Sequence, residues 1–340
     1  MNTANGRIDV SQFPSVQAAF DALPRSGGVI YFPAGRYEIP QTVRLALSEG
    51  QHLFIAGDGR ASVLINTSRD LAPLMQITGI VGSWWPNLKI TVRDLTFEGS
   101  CDSGDALVIE YPNDTQVDSC FFFGHGGHAV RLGPHGTNVT IRDCWARDCR
   151  KGFRAEHIHH LTLHGNQTRS RNEGQRQLEH VYLDYDCREV RIVNNHLAYG
   201  HAEGIILDGT AQHVIAGNTI EGFTTGILAR GVARDMVISS NYIHSPVGVR
   251  LVGVCDGFAI NGNTFINNHD AAVRVEDAAG SGGHSITGNV VRTSVYQGNG
   301  GIDLGDAVQC VVVGNVLDHV DGHGVVGGGH GHEIAANARR

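Results

Sequence analysis

The chain has 340 residues, 41% of them hydrophobic and 18% charged, so it can fold around a large core, as two ordinary domains or one elongated repeat, and is not a disordered polymer. Its formal net charge of −8 argues against binding nucleic acid by bulk phosphate attraction, and no such partner is expected. Lysine occurs only at Lys89 and Lys151, so the cations are almost all arginine, which suits planar recognition of carboxylates.

In chain order, the first residues carry no apolar run. No signal peptide is visible and no stretch reaches the ~18 apolar residues of a membrane span, so no membrane partner is expected. The compartment stays open: secreted if a leader was removed, otherwise cytoplasmic or a phage particle. "SVQAAFDALP" has Val16, Ala19, Phe20 and Leu23 at helical spacing and predicts a short amphipathic helix, followed by strands in "SGGVIYFPAGRYEI". Residues 1–40 are therefore a capping helix with the first strands, and 41–340 one continuous repeat domain. "GSWWPN" offers Trp84 and Trp85, which stack on sugar rings if exposed or pack a cap if buried. Among seven cysteines there is no CxxC pair, and Cys120 and Cys144 read as stacked core residues. "GHGGH" and the C-terminal "DGHGVVGGGHGHE" lack tetrahedral zinc spacing and read as glycine-rich corners.

The dominant signal is an internal repeat. "GN" or a near equivalent recurs at Asn166, Asn195, Asn218, Asn241, Asn263, Asn289 and Asn315, each Asn closing one β-branched run and opening another. As turn residues they are expected to accept left-handed geometry, and their stacked side chains can bond along a ladder. A second recurring strand puts Leu107, Val130, Phe153, Val181, Ile205, Ile227, Val249, Val273 and Ile302 at one inward position. Nothing inside the repeats has helical period. The fold class is all-β, a single-stranded parallel β-helix solenoid of about 10–12 coils with an N-terminal capping helix.

Coils stacked about 4.8 Å apart turn equivalent positions into columns. "HVYLDYD" then places His180, Tyr182, Asp184 and Asp186 on one face and Val181, Leu183 and Tyr185 on the other. The Tyr182 column also holds Arg131 and Arg154; the column two residues on holds Glu156, Asp184, Asp208 and Arg230. Three acids on consecutive coils oppose one another's ionisation, so the ladder should bind a cation, gain arginine partners or hold a proton. Glu156, Asp184 and Asp208 are the candidate calcium ligands; no other cofactor is implied. Coil spacing is 22–24 residues except at two insertions. The first, 168–179, precedes the suspect strand and brings Arg169, Arg171 and Arg176 towards an anionic ligand. The second comprises "AAGSGGH" and "SVYQGNG". His135 in "LGPHG" is placed to overhang Ile158 and Asp186.

"VQAAFDALPRSGGVIYFPAGRYEI" and the "GN" repeats from 166 to 315 resemble the right-handed parallel β-helix proteins of the pectate-lyase-like superfamily. That resemblance covers most of the chain and implies architecture, not reaction: the superfamily holds polysaccharide lyases, glycoside hydrolases, uronate epimerases, esterases and tail-spike depolymerases. Only "GHG" at 124–126 matches a polygalacturonase-type motif, and "GPH" at 133–135 lacks the acid of the epimerase Asp-Pro-His. The acid ladder beside Arg154 or Arg131 looks like the calcium-dependent pectate lyases.

The leading expectation is β-elimination on a uronate-containing polysaccharide or oligosaccharide. Arg131, Arg154 or a calcium ion would neutralise the carboxylate, His180, His135 or an arginine would be the base, and Tyr182 the acid. A C5-epimerase would use the same parts. A hydrolase would pair carboxylates, at ~5 Å for retention or, with Glu156 and Asp208, ~9–10 Å towards inversion. A non-catalytic glycan-binding or tail-spike-like protein would only bind there. Homo-oligomers occur in this architecture, and nothing in the sequence demonstrates one.

Overall fold

The computed structural model describes residues 7–83, 85–170, 178–277, 281–293, 301–318 and 324–339. They form an all-β parallel β-helix of about 13 turns, which divides into two compact units, Met1–Arg176 and Gln177–Arg340. Trp84, Arg171 and Arg176 lie outside the described residues.

The first unit opens with the expected helix, Val16–Asp21. The Ser15 side chain caps it by accepting a hydrogen bond from the Ala18 amide at 3.1 Å. Val16, Ala19 and Phe20 are its buried face, and the Phe20 ring lies 6.4 Å from that of Phe32. A terminal coil otherwise exposes its last apolar layer, which is why the helix sits there. Behind it three parallel sheets build up. One contains His52–Gly57, Ile90–Arg93, Asn113–Asp118 and Gly136–Arg142 as neighbours. A second contains Leu107–Glu110, His128–Leu132 and Lys151–Glu156, and the third Phe121–Phe123 and Trp145–Arg147.

The second unit repeats the plan, and one coil illustrates it: Glu203–Asp208, Val214–Ala216 and Thr219–Glu221 each pair in parallel with the equivalent strand of the next coil. The two runs that flank each Asn are separate strands in separate sheets. The inward column runs Val181, Ile205, Ile227, Val249, Val273, Ile302 in register, as the repeat requires. Each of these side chains is almost wholly buried, which contributes roughly 1.5–3 kcal/mol apiece.

Every "GN" asparagine is buried, and the left-handed residue is the one before it: Gly165, Asn194, Gly217, Ser240, Gly262, Gly288 and Gly314 all have positive φ, whereas the ladder asparagines do not. The expectation that the Asn itself takes the left-handed turn is thus corrected. The preceding residue makes the turn, which frees the Asn side chain to point inwards. There Asn218 donates its backbone N–H at 3.0 Å and its side-chain N–H at 2.9 Å to Asn241 Oδ1. The same pair of bonds recurs from Asn195 to Asn337. Cys120 and Cys144 occupy the equivalent positions in the first unit, buried and reduced as expected.

Candidate active site

In the second unit the strand Val181–Asp184 carries Tyr182 half-buried on the outer face, in register with Ile206 of the next coil. Asp208 ends the strand Glu203–Asp208 and pairs in register with Arg230 on Thr225–Arg234. Offset by two residues, the three side chains converge. The Tyr182 hydroxyl donates to Asp208 Oδ2 at 3.0 Å. Arg230 donates to the same oxygen through Nε at 2.8 Å, with Nη2 2.7 Å away, and Nη2 also donates to the phenol oxygen at 3.2 Å. The guanidinium thus holds carboxylate and phenol at once, a geometry that a lysine cannot supply. Asp208 Oδ1 lies over Gly231, where a Cβ would come within 3.4 Å of it.

Burial, and then the bond to Asp208, raise the Tyr182 pKa, while Arg230 opposes them; the phenol is therefore neutral and holds its proton at neutral pH. The bond to Asp208 likewise raises the Arg230 pKa. Of the outcomes open to the acid ladder, Asp208 has taken the arginine partner. Asp184 accepts from the Tyr185 amide at 2.9 Å, and Asp186 pairs with Arg188 at 2.7 Å.

Two side chains of "HVYLDYD" face the other way from the alternating pattern. His180 is fully buried, with its ring edge-on to Phe223 at 4.5 Å, and burial drives its pKa down to about 3. The chain is still rounding a corner there, so His180 and Val181 both turn inwards, into space left by Gly200, where a Cβ would approach His180 Nε2 to 3.0 Å. His180 is therefore no base on the outer face. Tyr185 is 71% exposed, because the strand stops at Asp184 and Asp186 has a φ of 57°.

The first unit holds the remaining described candidates. Arg131 donates through Nε to Asp105 Oδ2 at 2.7 Å, and His128 Nδ1 meets the other oxygen of Asp105 at 2.9 Å. Asp105 is held well below the usual carboxylate range by those partners against its own burial. Arg154 lies 4.0 Å from Glu156, both half-exposed. The His135 ring packs edge-on against His157 at 4.9 Å, in line with the pairing of Gly136 with Ile158, and burial beside His157 and His159 lowers its pKa. Trp85 is 70% exposed, the orientation that suits stacking. In "GHGGH", His125 is buried in a corner with Nδ1 3.3 Å from the Gly104 carbonyl.

Sequence reasoning missed a feature beside the Tyr182 group. Arg188, Ala211 and Arg234 pair in register on three coils of the second unit. The small Ala211 between two arginines opens a cleft of ≈ 280 Å³, also lined by Asp186, Gln212 and Val232. The signal was present as a third column further along the same coils, outside the strands that the repeat pattern marks.

The family described as right handed beta helix region matches residues 179–338, and that described as periplasmic copper-binding protein (NosD) matches 89–252. A search of the curated proteins finds no match. Among solved structures the chain is similar to the A-module of a mannuronan C-5 epimerase from Azotobacter vinelandii, at 16% identity and a TM-score of 0.70, covering 98% of this chain and 99% of that one. It is also similar to a DFA-IIIase from Arthrobacter chlorophenolicus without its lid, at 14% identity and 0.62 over 99% of both chains. A third likeness is to the Dettilon tailspike protein, at 14% identity and 0.58, covering 98% of this chain and 68% of that one. These are likenesses of fold. Copper ligation does not suit the buried sulfur side chains: burial holds Cys149 at about 12 and Cys255 at about 11, and Met75 and Met236 are wholly buried in the core, whereas Cys101 is exposed.

Proposed function

We propose that this chain, which has the right-handed parallel β-helix fold of the pectate-lyase-like superfamily, is a carbohydrate-active enzyme that removes the C5 proton of a uronate-containing polysaccharide or oligosaccharide, with β-elimination as its reaction. The observation that carries this reading is the Tyr182 phenol, held at 3.0 Å by a carboxylate and at 3.2 Å by a guanidinium. A hydrolase needs two carboxylates flanking the scissile bond, and here Asp208 is bonded to a phenol and a guanidinium in place of a second carboxylate.

The phenol oxygen takes the C5 proton while its own proton passes to Asp208 Oδ2, along the hydrogen bond already present. The C5–H electrons form the C4–C5 double bond, the C4–O bond breaks, and the leaving oxygen takes a proton back from Tyr182 as Asp208 returns the one it holds. Arg230 stabilises the charge that passes between phenol and carboxylate. Arg188 and Arg234 suit the carboxylate of a sugar further along the polymer, because Arg234 lies four residues beyond Arg230, about 13 Å along the strand.

A second reading, C5 epimerisation, is favoured by the likeness to mannuronan C-5 epimerases. It shares the proton abstraction and returns the proton to the opposite face of the sugar. Incubating the protein with polyuronates in heavy water tests both. Ultraviolet absorbance from unsaturated ends supports elimination; deuterium at C5 without chain cleavage supports epimerisation. New reducing ends without either signal would sink C5 chemistry and favour hydrolysis, and binding without any product would leave a structural glycan-binding role.

A further inference from the structure

We infer that the first unit carries a second saccharide site, selective for acidic glycans, on the outer face of the sheet that contains His52–Gly57, Ile90–Arg93, Asn113–Asp118 and Gly136–Arg142. A groove of ≈ 450 Å³ crosses this face. Two columns of outward side chains floor it. One runs Phe54, Thr91, Gln116 in register, and the other Arg93, Asp118, Arg142. Phe54 is half-buried and offers a ring to a pyranose, beside the Gln116 amide.

The charge balance sets the ligand class. Lys89, Arg93 and Arg142 line the groove against one carboxylate, Asp118. That acid is buried and bonded to Arg142 at 2.7 Å, and Arg93 keeps its terminal amines while Nε contacts Asp94 at 2.6 Å. Lys89, one of two lysines in the chain, is exposed and has no ion-pair partner among the described residues. With Arg142 paired to Asp118 and Arg93 to Asp94, Lys89 leaves an uncompensated positive charge in the groove of a chain whose net charge is −8. Lys89, just before the strand Ile90–Arg93, stands about 13 Å from Arg93 along the chain, too far for one small anion to satisfy both, and suited to an extended polyanion. An aromatic ring with amide and hydroxyl neighbours fits a sugar polymer, and the overall charge disfavours nucleic acid. The anionic selectivity rests on the groove alone; the choice of a uronate polymer rests on the function proposed above.

Affinity electrophoresis of the full chain through gels containing a polyuronate, a neutral glucan or duplex DNA tests the site. The polyuronate should retard the protein and the glucan should not. Lys89→Glu should weaken retardation about tenfold, equivalent to ~1.4 kcal/mol. Phe54→Ala should also weaken it; thermal unfolding confirms that each variant is folded. Retardation that ignores Lys89→Glu, or that is equal with DNA, overturns the site. Lys89-dependent retardation without any turnover keeps the groove and removes the catalytic reading; turnover with Lys89-independent retardation does the reverse.

Discussion

At the scale of single residues, the phenol, carboxylate and guanidinium of Tyr182, Asp208 and Arg230 make a closed set, so each substitution has its own signature. Tyr182→Phe keeps the ring and removes the proton carrier; turnover should fall about 10²–10⁴-fold with little change in substrate binding. Asp208→Asn removes one of the causes that raise the Tyr182 pKa and leaves Arg230, which lowers it. Tyrosinate absorbance should therefore develop at lower pH in that variant than in the parent, and an unmoved titration would show that Asp208 does not govern the phenol. Arg230→Lys retains the charge but not the fork that holds two acceptors, so it should lose activity nearly as fully as Arg230→Ala.

At the scale of the element, a coil is defined by what turns its corners. Gly217 has a φ of 67°, and a Cβ there would stand 2.6 Å from Asn194 Oδ1, whereas one at Gly262, with a φ of 61°, would meet nothing within 4 Å. Gly262→Asn should thus be tolerated, as Asn194 already is at the equivalent turn with a φ of 56°, and Gly217→Ala should lower the melting temperature. Much of this level was legible in the sequence. Parallel coils stack equivalent residues, so counting from one inward side chain recovers the registers of Tyr182 with Ile206 and of Asp208 with Arg230. The alternating pattern holds only while the backbone is extended. It therefore misassigned His180, which precedes its strand, and Tyr185, which follows it. The Arg188, Ala211, Arg234 column escaped notice because isolated bridges at a corner leave no run of alternating residues.

For the molecule as a whole, buried histidines set the response to acid. Burial lowers His125 and His284 to about 4 and His180 and His213 to about 3, against an unfolded value of ~6.5. His213 Nδ1 accepts the Val190 amide at 3.1 Å, so a proton on Nδ1 would displace that bond. A folded pKa below the unfolded one means that the stabilisation is complete above about pH 6.5. It is lost as pH falls from there towards 4, because the unfolded chain takes up protons that the folded one refuses. Denaturant unfolding across that range should show stability falling with a slope approaching four protons, and His213→Gln should reduce the slope by about one. The asparagine ladder adds a consequence of a different kind, since each Oδ1 of these rungs accepts from the Asn of the lower-numbered coil, while the side-chain amide donates both onwards to the next Asn and back to a carbonyl, as Asn218 does to Ile192. Loss of a rung therefore does unequal harm on its two sides. In Asn241→Ala, Asn218 keeps two donors with no acceptor, at roughly 1–3 kcal/mol each, while the Ile215 carbonyl loses its donor and Asn263 Oδ1 loses one donor but keeps the backbone N–H of residue 241. The damage has a direction. Amide exchange should quicken at Asn218 well before Asn263, because the Asn218 backbone N–H loses its acceptor and that of Asn263, held by Asn289, does not.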